Sequence, residues 1–159
     1  MFDLLYRDYN DRLRPLAARL RNEMTYQSED IIWTALHDII AEDRYAHLTV
    51  GHQVLVRNLL VDLSRLTPRQ TAFVQHRASV DFVVYNRVTN HPLLAIEVDG
   101  FAFHENNPTQ LERDAIKDEI LRAYQMPLLR LATTGSDEDQ RIRQALDVAE
   151  AHWAQMSSR

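Results

Sequence analysis

SVDFVVYN, residues 79–86, and PLLAIEVDG, residues 92–100, flank the turn-rich stretch RVTNH at 87–91. β-Branched and apolar residues crowd both flanks and turn formers fill the middle, which predicts two neighbouring strands joined by a tight hairpin. Acids interrupt the apolar pattern at chosen places: Asp81 breaks the first run, while Glu97 and Asp99 close the second just before Gly100. With a side-chain period of two, Glu97 and Asp99 share one face of the strand and Ile96 and Val98 the other. A turn around Val88 to Asn90 sets Asp81 opposite Glu97, with both side chains on the same face.

Opposed like charges destabilise a strand pair by a few tenths to about 1 kcal/mol, so a compensating cation is expected. A hard divalent metal is one candidate, because Mg²⁺ or Mn²⁺ is commonly held by two carboxylates, a backbone carbonyl such as that of Val98, and waters. The alternative is purely structural. Arg113, Lys117 and Arg130 follow closely in the chain and can gather the same acids into an ion-pair network.

The order of elements around these residues resembles a known family. A helix containing Glu29, a strand, VDFVVYN, LLAIEVDGFAFH, a helix carrying RDAIKD and a strand PLLRL are similar in sequence to the PD-(D/E)xK nuclease superfamily. The nearer likeness is to the branch around the very short patch repair endonuclease, with its helicase-associated and uncharacterised bacterial relatives. The resemblance spans roughly residues 25 to 150 and implies a restriction-endonuclease-like core. It also implies that Asp81 and Glu97 bind Mg²⁺. The superfamily's lysine, two residues past the glutamate, is replaced here by Asp99. In the narrower branch an aspartate-glycine pair and a histidine follow the glutamate, as in IEVDGFAFH, which assigns Asp99 and His104 to the active centre by resemblance. Imidazole chemistry suits a general base, a water-orienting group or a ligand.

Around this centre the rest of the chain is read outward. Residues 1–24 form a helical arm, with Phe2, Leu5, Tyr9, Leu13, Leu16 and Leu20 at helical spacing and Pro15 splitting or kinking it. Its arginines Arg12, Arg14, Arg19 and Arg21 touch phosphate, dock on an acidic neighbour or face water, and a further reading makes the arm a connection to a larger parent polypeptide. Residues 25–159 form the nuclease-like domain. Ser28 is read as the N-cap of a helix with Ile32, Leu36, Ile39 and Ile40 inward. Glu29 either helps that helix start through its dipole or, by resemblance, reaches the metal site.

HLTVGHQVLV, 47–56, reads as a strand in which Gln53 orients a ligand or faces water. Thr67 to Gln70 is a capping box opening a short helix. Thr109 to Glu112 is read as another, opening a helix to about Gln125 with Leu111, Ala115, Ile116, Ile120 and Tyr124 inward. On that helix Arg113 and Lys117 lie four apart on one face. Lys117 is the candidate for the missing strand lysine, because a flexible ammonium reaches a site from a neighbouring element; its ordinary alternative is a surface pair with Asp114. Leu128 to Leu131 is a last strand, and Ser136 caps a last helix with Ile142, Leu146, Ala149 and Trp153 inward.

The fold expected is therefore α/β, with a central mixed sheet of four strands flanked by helices, in the order ααβαββαβα. The hairpin strands are antiparallel and the last strand, reached through a helix, is parallel to its neighbour. A chain of 159 residues with 45% hydrophobic content suits one compact core. The net charge of −5 leaves any nucleic-acid site to a local patch, and DNA binding is expected to be weak without a partner. Absence of cysteine excludes disulfides and zinc thiolates. No apolar run approaches the ~20 residues of a membrane span and the N-terminus does not read as a signal peptide, so a cytoplasmic protein is expected.

The functional expectation is a Mg²⁺- or Mn²⁺-dependent DNA endonuclease or exonuclease in repair, processing or defence, with Asp81, Glu97 and Val98 on the metal. Lys117 or His104 acts on water and Arg113 on phosphate, with Gln53 and Glu29 as accessories. The alternative is a non-catalytic nuclease-like module that binds DNA or a helicase. No Gly-rich phosphate loop or histidine-rich cluster supports a small-molecule phosphoesterase.

Overall fold

The computed structural model describes residues 14–99, 108–132 and 137–159. Helix α1 runs Arg14–Ile40. Strand β1 spans Leu48–Leu55, helix α2 Pro68–Gln75, strand β2 Ser79–Asn86 and strand β3 Pro92–Asp99. Helix α3 covers Pro108–Ala123, strand β4 Leu128–Ala132 and helix α4 Glu138–Ser157. The four strands form one mixed sheet in the order β1-β2-β3-β4, with β1–β2 and β2–β3 antiparallel and β3–β4 parallel. This is the α/β architecture expected from the sequence. Among the described residues no helix is long and apolar enough to cross a membrane.

The hairpin forms where the turn residues stand. Asn86 accepts the backbone N–H groups of Val88 and Thr89 on its side chain, at 2.9 and 3.2 Å, and Asn90 takes the left-handed conformation at φ 56°. The register pairs Phe82 with Ile96 and Val84 with Leu94, and one further step sets Asp81 opposite Glu97. An irregularity between Val84 and Tyr85 then fits the strands to the turn.

Two apolar cores follow from the alternation. On one side of the sheet Phe82, Ile96 and Leu131 meet Ile32 and Leu36 of α1 and Ile142 and Leu146 of α4. On the other, Val83 and Ala95 meet Val74 of α2 and Ile120 and Leu121 of α3. Each fully buried large side chain contributes roughly 1.5–3 kcal/mol against exposure, so these two layers hold the sheet between its helices. The capping box at α2 is present as read: Thr67 accepts from Gln70 N at 3.2 Å and Gln70 accepts from Thr67 N at 3.0 Å.

Three boundaries differ from the sequence reading. Ser28 does not cap a helix. It lies inside the continuous α1 and is buried, because it falls four residues before Ile32 on the stripe that continues to Leu36. The boundary drawn between residues 24 and 25 therefore runs through one helix, and Pro15 stands in its first turn, where a missing N–H costs nothing. The arm's residues 1–13 lie outside the described residues.

Thr109 is the second residue of α3 rather than its cap, and Glu112 pairs with Arg69 of α2. The inward face of α3 is also turned by one position: Leu111 is 52% exposed, while Ile120 and Leu121 are buried. Stepping back from these by one turn brings Ile116 and Lys117 onto the sheet. Before α4 stands Asp137; Ser136 lies outside the described residues. Ile142, Leu146 and Ala149 are buried as expected.

Candidate active site

Each strand places one polar side chain at the same level of the sheet. The β1–β2 register pairs His52 with Phe82 and Val54 with Val80, which puts Gln53 across from Asp81. Glu97 follows on β3, and the parallel pairing sets Arg130 of β4 beside it. Cross-strand neighbours share a face, so Gln53, Asp81, Glu97 and Arg130 form a row on the side covered by α3.

Asp81 is held by neutral donors. Its Oδ2 accepts the backbone N–H of Val98 at 2.8 Å and its Oδ1 accepts the Gln53 amide at 3.3 Å. Ser79 donates its hydroxyl to the Gln53 carbonyl at 3.3 Å, which fixes the direction of that amide. Gln53 itself has φ 48°, in the left-handed region that non-glycine residues avoid, so the strand bears local strain at this row. Gln53→Gly is accordingly expected to be more stable than Gln53→Ala by about 1 kcal/mol, since both lose the amide and only glycine accepts this φ freely. Urea denaturation of the two variants checks this. Equal midpoints would mean that residue 53 is not left-handed in solution.

Glu97 is paired with the Lys117 ammonium from α3, the two side chains being 9% and 12% exposed. Its carboxyl is raised to about 7: burial lifts it most, Lys117 pulls it down, and the charge of Asp81 and a hydrogen bond shared with it push it up. Near neutral pH the Glu97 carboxyl is thus part protonated. Asp99 is turned outward to another cation. Arg130 donates to it at 3.3 Å and to Asp118 of α3 at 2.5 Å, while Arg141 bonds the Arg130 carbonyl at 2.8 Å.

The structure brings together Gln53, Asp81, Val98, Glu97 and Lys117 and places Asp99 in the adjoining Arg130 ion pair. Glu29 is elsewhere: it accepts from His52 at 3.4 Å, and His52 stacks on Phe82, on the sheet face packed by α1. A helix start at Ser28 would have presented Glu29 differently; the longer α1 and the His52 contact explain its position. Arg113 is exposed, with its guanidinium 5.6 Å from the Phe73 ring centre. His104 lies outside the described residues. Asp118 and Arg130 were not singled out together from the sequence, although the RDAIKD segment holds Asp118 directly after Lys117.

Among the described residues, no three His, Cys, Asp or Glu side chains meet to hold a metal ion. Two carboxylates with a backbone carbonyl still match the habit of Mg²⁺ and Mn²⁺, which keep several waters rather than an all-protein cage. The charge also fits. Burial lifts the Glu97 carboxyl most, and the charge of Asp81 adds to it against the pull of Lys117, so a divalent cation would meet two acids and one ammonium there. Asp81 and Glu97 would hold it, with the Val98 carbonyl as the third protein oxygen.

Residues 21–149 match the family described as Protein of unknown function (DUF2726), and the chain belongs to that family. The match covers every residue of the row and Lys117. No curated protein and no solved structure matches the chain.

Proposed function

We propose that this protein is a divalent-metal-dependent deoxyribonuclease that hydrolyses phosphodiester bonds in DNA repair, processing or defence. The observation that supports it most is the Asp81–Glu97 carboxylate pair with the Lys117 ammonium laid on Glu97. A lysine beside two metal-binding acids is what the nuclease resemblance requires, and Asp99 occupies the strand position where that lysine ordinarily stands. Here α3 delivers the ammonium instead.

Asp81 and Glu97 would hold a divalent cation, which would supply charge for a phosphoryl oxygen and lower the proton affinity of a water. Asp81 keeps its orientation through Val98 N–H and Gln53. Glu97 must lose its proton to take part, which ties activity to pH through the region near 7. Lys117 places a positive charge beside Glu97, where it stabilises negative charge developing on the phosphate and orients the attacking water. With a net charge of −5 the protein itself attracts DNA weakly, which favours action beside a helicase or a larger parent polypeptide.

A second reading draws on the same ion pairs. Lys117 on Glu97 and Arg130 on Asp99 leave a network that a non-catalytic module binding DNA or a helicase would also tolerate. Calorimetric titration with Mn²⁺ separates the two. Binding is expected for the wild type and is expected to vanish in Asp81→Ala and in Glu97→Ala, with Mn²⁺-dependent cleavage of labelled single-stranded or duplex DNA. A wild type that takes up no Mn²⁺ and cleaves neither substrate would overturn the nuclease and leave the binding module.

A further inference from the structure

A polar cavity of about 410 Å³ opens beside the carboxylate row, between the end of α2, the start of β2 and the first turns of α3. Its lining includes Arg77, Arg113, Lys117, Ser79, Asp114 and Phe73. Two of these connect it directly to the site. Lys117 is the residue on Glu97, and Ser79 is the residue that fixes Gln53 against Asp81.

The charges of this cavity are unusual for the chain. Other arginines around it are spoken for: Arg69 pairs with Glu112, and Arg130 with Asp118 and Asp99. Arg77 and Arg113 have no ion pair among the described residues. The acid of the lining, Asp114, accepts from the Gln110 amide at 3.0 Å. With Lys117 already on Glu97, Arg77 and Arg113 stand against the one carboxylate of the lining, a local positive excess in a protein of net charge −5.

One of these two arginines is also held by a ring. Arg113 lies over the Phe73 ring, which holds its planar fork at the cavity wall. Arg77 is exposed at the junction of α2 with β2, where its backbone is left-handed at φ 63°. Guanidinium groups arranged around a small polar space match the oxygens of a phosphate. The volume exceeds that of a phosphate alone and admits part of the attached sugar.

We propose that this cavity binds a phosphate of the DNA strand next to the bond positioned at Asp81 and Glu97. The place of this phosphate beside the reacting bond rests on the nuclease reading, whereas phosphate capture by Arg77 and Arg113 does not. The phosphate is either an internal diester or a terminal monoester, and the chemistry of recognition is the same.

The test is fluorescence anisotropy with a short labelled oligonucleotide, without added metal, across a series of salt concentrations. The substrates are a linear strand with a 5′-phosphate, the same strand with a 5′-hydroxyl, and a duplex of each. Against the wild type, the Arg77→Gln/Arg113→Gln double variant is expected to bind about 10-fold or more weakly, with a salt slope flatter by roughly one to two. Arg69→Gln is expected to bind as the wild type, because that arginine is already paired outside the cavity. Arg77→Gln and Arg113→Gln singly, each checked for folding by circular dichroism, give intermediate losses. A loss confined to 5′-phosphorylated ends assigns the cavity to a terminus, and an equal loss on all substrates assigns it to an internal phosphate.

Unchanged affinity and salt slope in the double variant, or no binding by the wild type at low salt, would overturn the proposal. Because this readout needs neither metal nor cleavage, an inactive protein that loses binding in the double variant would refute the nuclease and keep the cavity.

Discussion

Lys117→Met is expected to slow Mn²⁺-dependent DNA cleavage by about 10²–10⁴-fold while leaving Mn²⁺ binding at alkaline pH within several-fold of the wild type. The ammonium lies on Glu97 from a neighbouring helix, with only 12% of its side chain exposed. Its removal takes away the interaction that pulls the Glu97 carboxyl down, so burial and Asp81 push that carboxyl still higher. A proton then competes with the metal near neutral pH, and the competition disappears once the pH exceeds the raised value. Metal affinity measured at alkaline pH therefore reports the carboxylates, and cleavage at the same pH reports what the lysine adds. Lys117→Arg sharpens the distinction. A guanidinium restores the charge beside Glu97 but has a different shape and does not give up a proton, so stability is expected to recover and cleavage is not. A merely structural lysine would lose stability and metal binding together, with cleavage following in proportion. Cleavage at the wild-type rate in Lys117→Met would remove Lys117 from the chemistry altogether.

The hairpin was legible because two local signals agreed. Turn formers at 87–91 set the centre of the turn and the alternation of acids with apolar residues set the faces, so the opposition of Asp81 and Glu97 follows from counting alone. The parallel β4 likewise follows from a helix between two strands. What local signals do not carry is the rotation of a helix about its axis. The apolar residues of α3 are compatible with two neighbouring inward faces, and the choice was made by contacts distant in sequence. Ile120 and Leu121 fill the core under β2 and β3, and Lys117 finds a carboxylate it can reach. Ser28 shows the same limit: a serine before acids reads as a cap, yet the continuation of the buried stripe through α1 absorbs it. Gln53 reads in the sequence as a polar strand residue that orients a ligand or faces water. Its left-handed backbone and its bond to Asp81 depend on a register across two strands, which its own neighbours do not encode.

The metal-free protein is expected to lose stability as the pH rises from 4.5 to about 7, through Glu97 alone by on the order of 3 kcal/mol. In the unfolded chain this carboxyl titrates near 4.5, and in the fold at about 7. Between those values the folded protein keeps a proton that the unfolded chain has released. Stability must then fall with rising pH, the contribution being complete below 4.5 and gone above about 7. The cause is burial first, with Asp81 adding to it, and Lys117 opposing both. Urea midpoints of the wild type and Glu97→Gln across this range isolate the effect, because every other titrating group is common to both proteins. Their difference should change through the window and level off above it. At pH 8, where the pair carries most charge, Mn²⁺ at about 100 times its dissociation constant should restore roughly 2.7 kcal/mol to the wild type and little to Glu97→Gln. A difference that stays flat across the whole window would mean that Lys117 outweighs burial and keeps Glu97 ionised throughout. The acids would then already be satisfied within the fold, and the same titration would show no stabilisation by Mn²⁺.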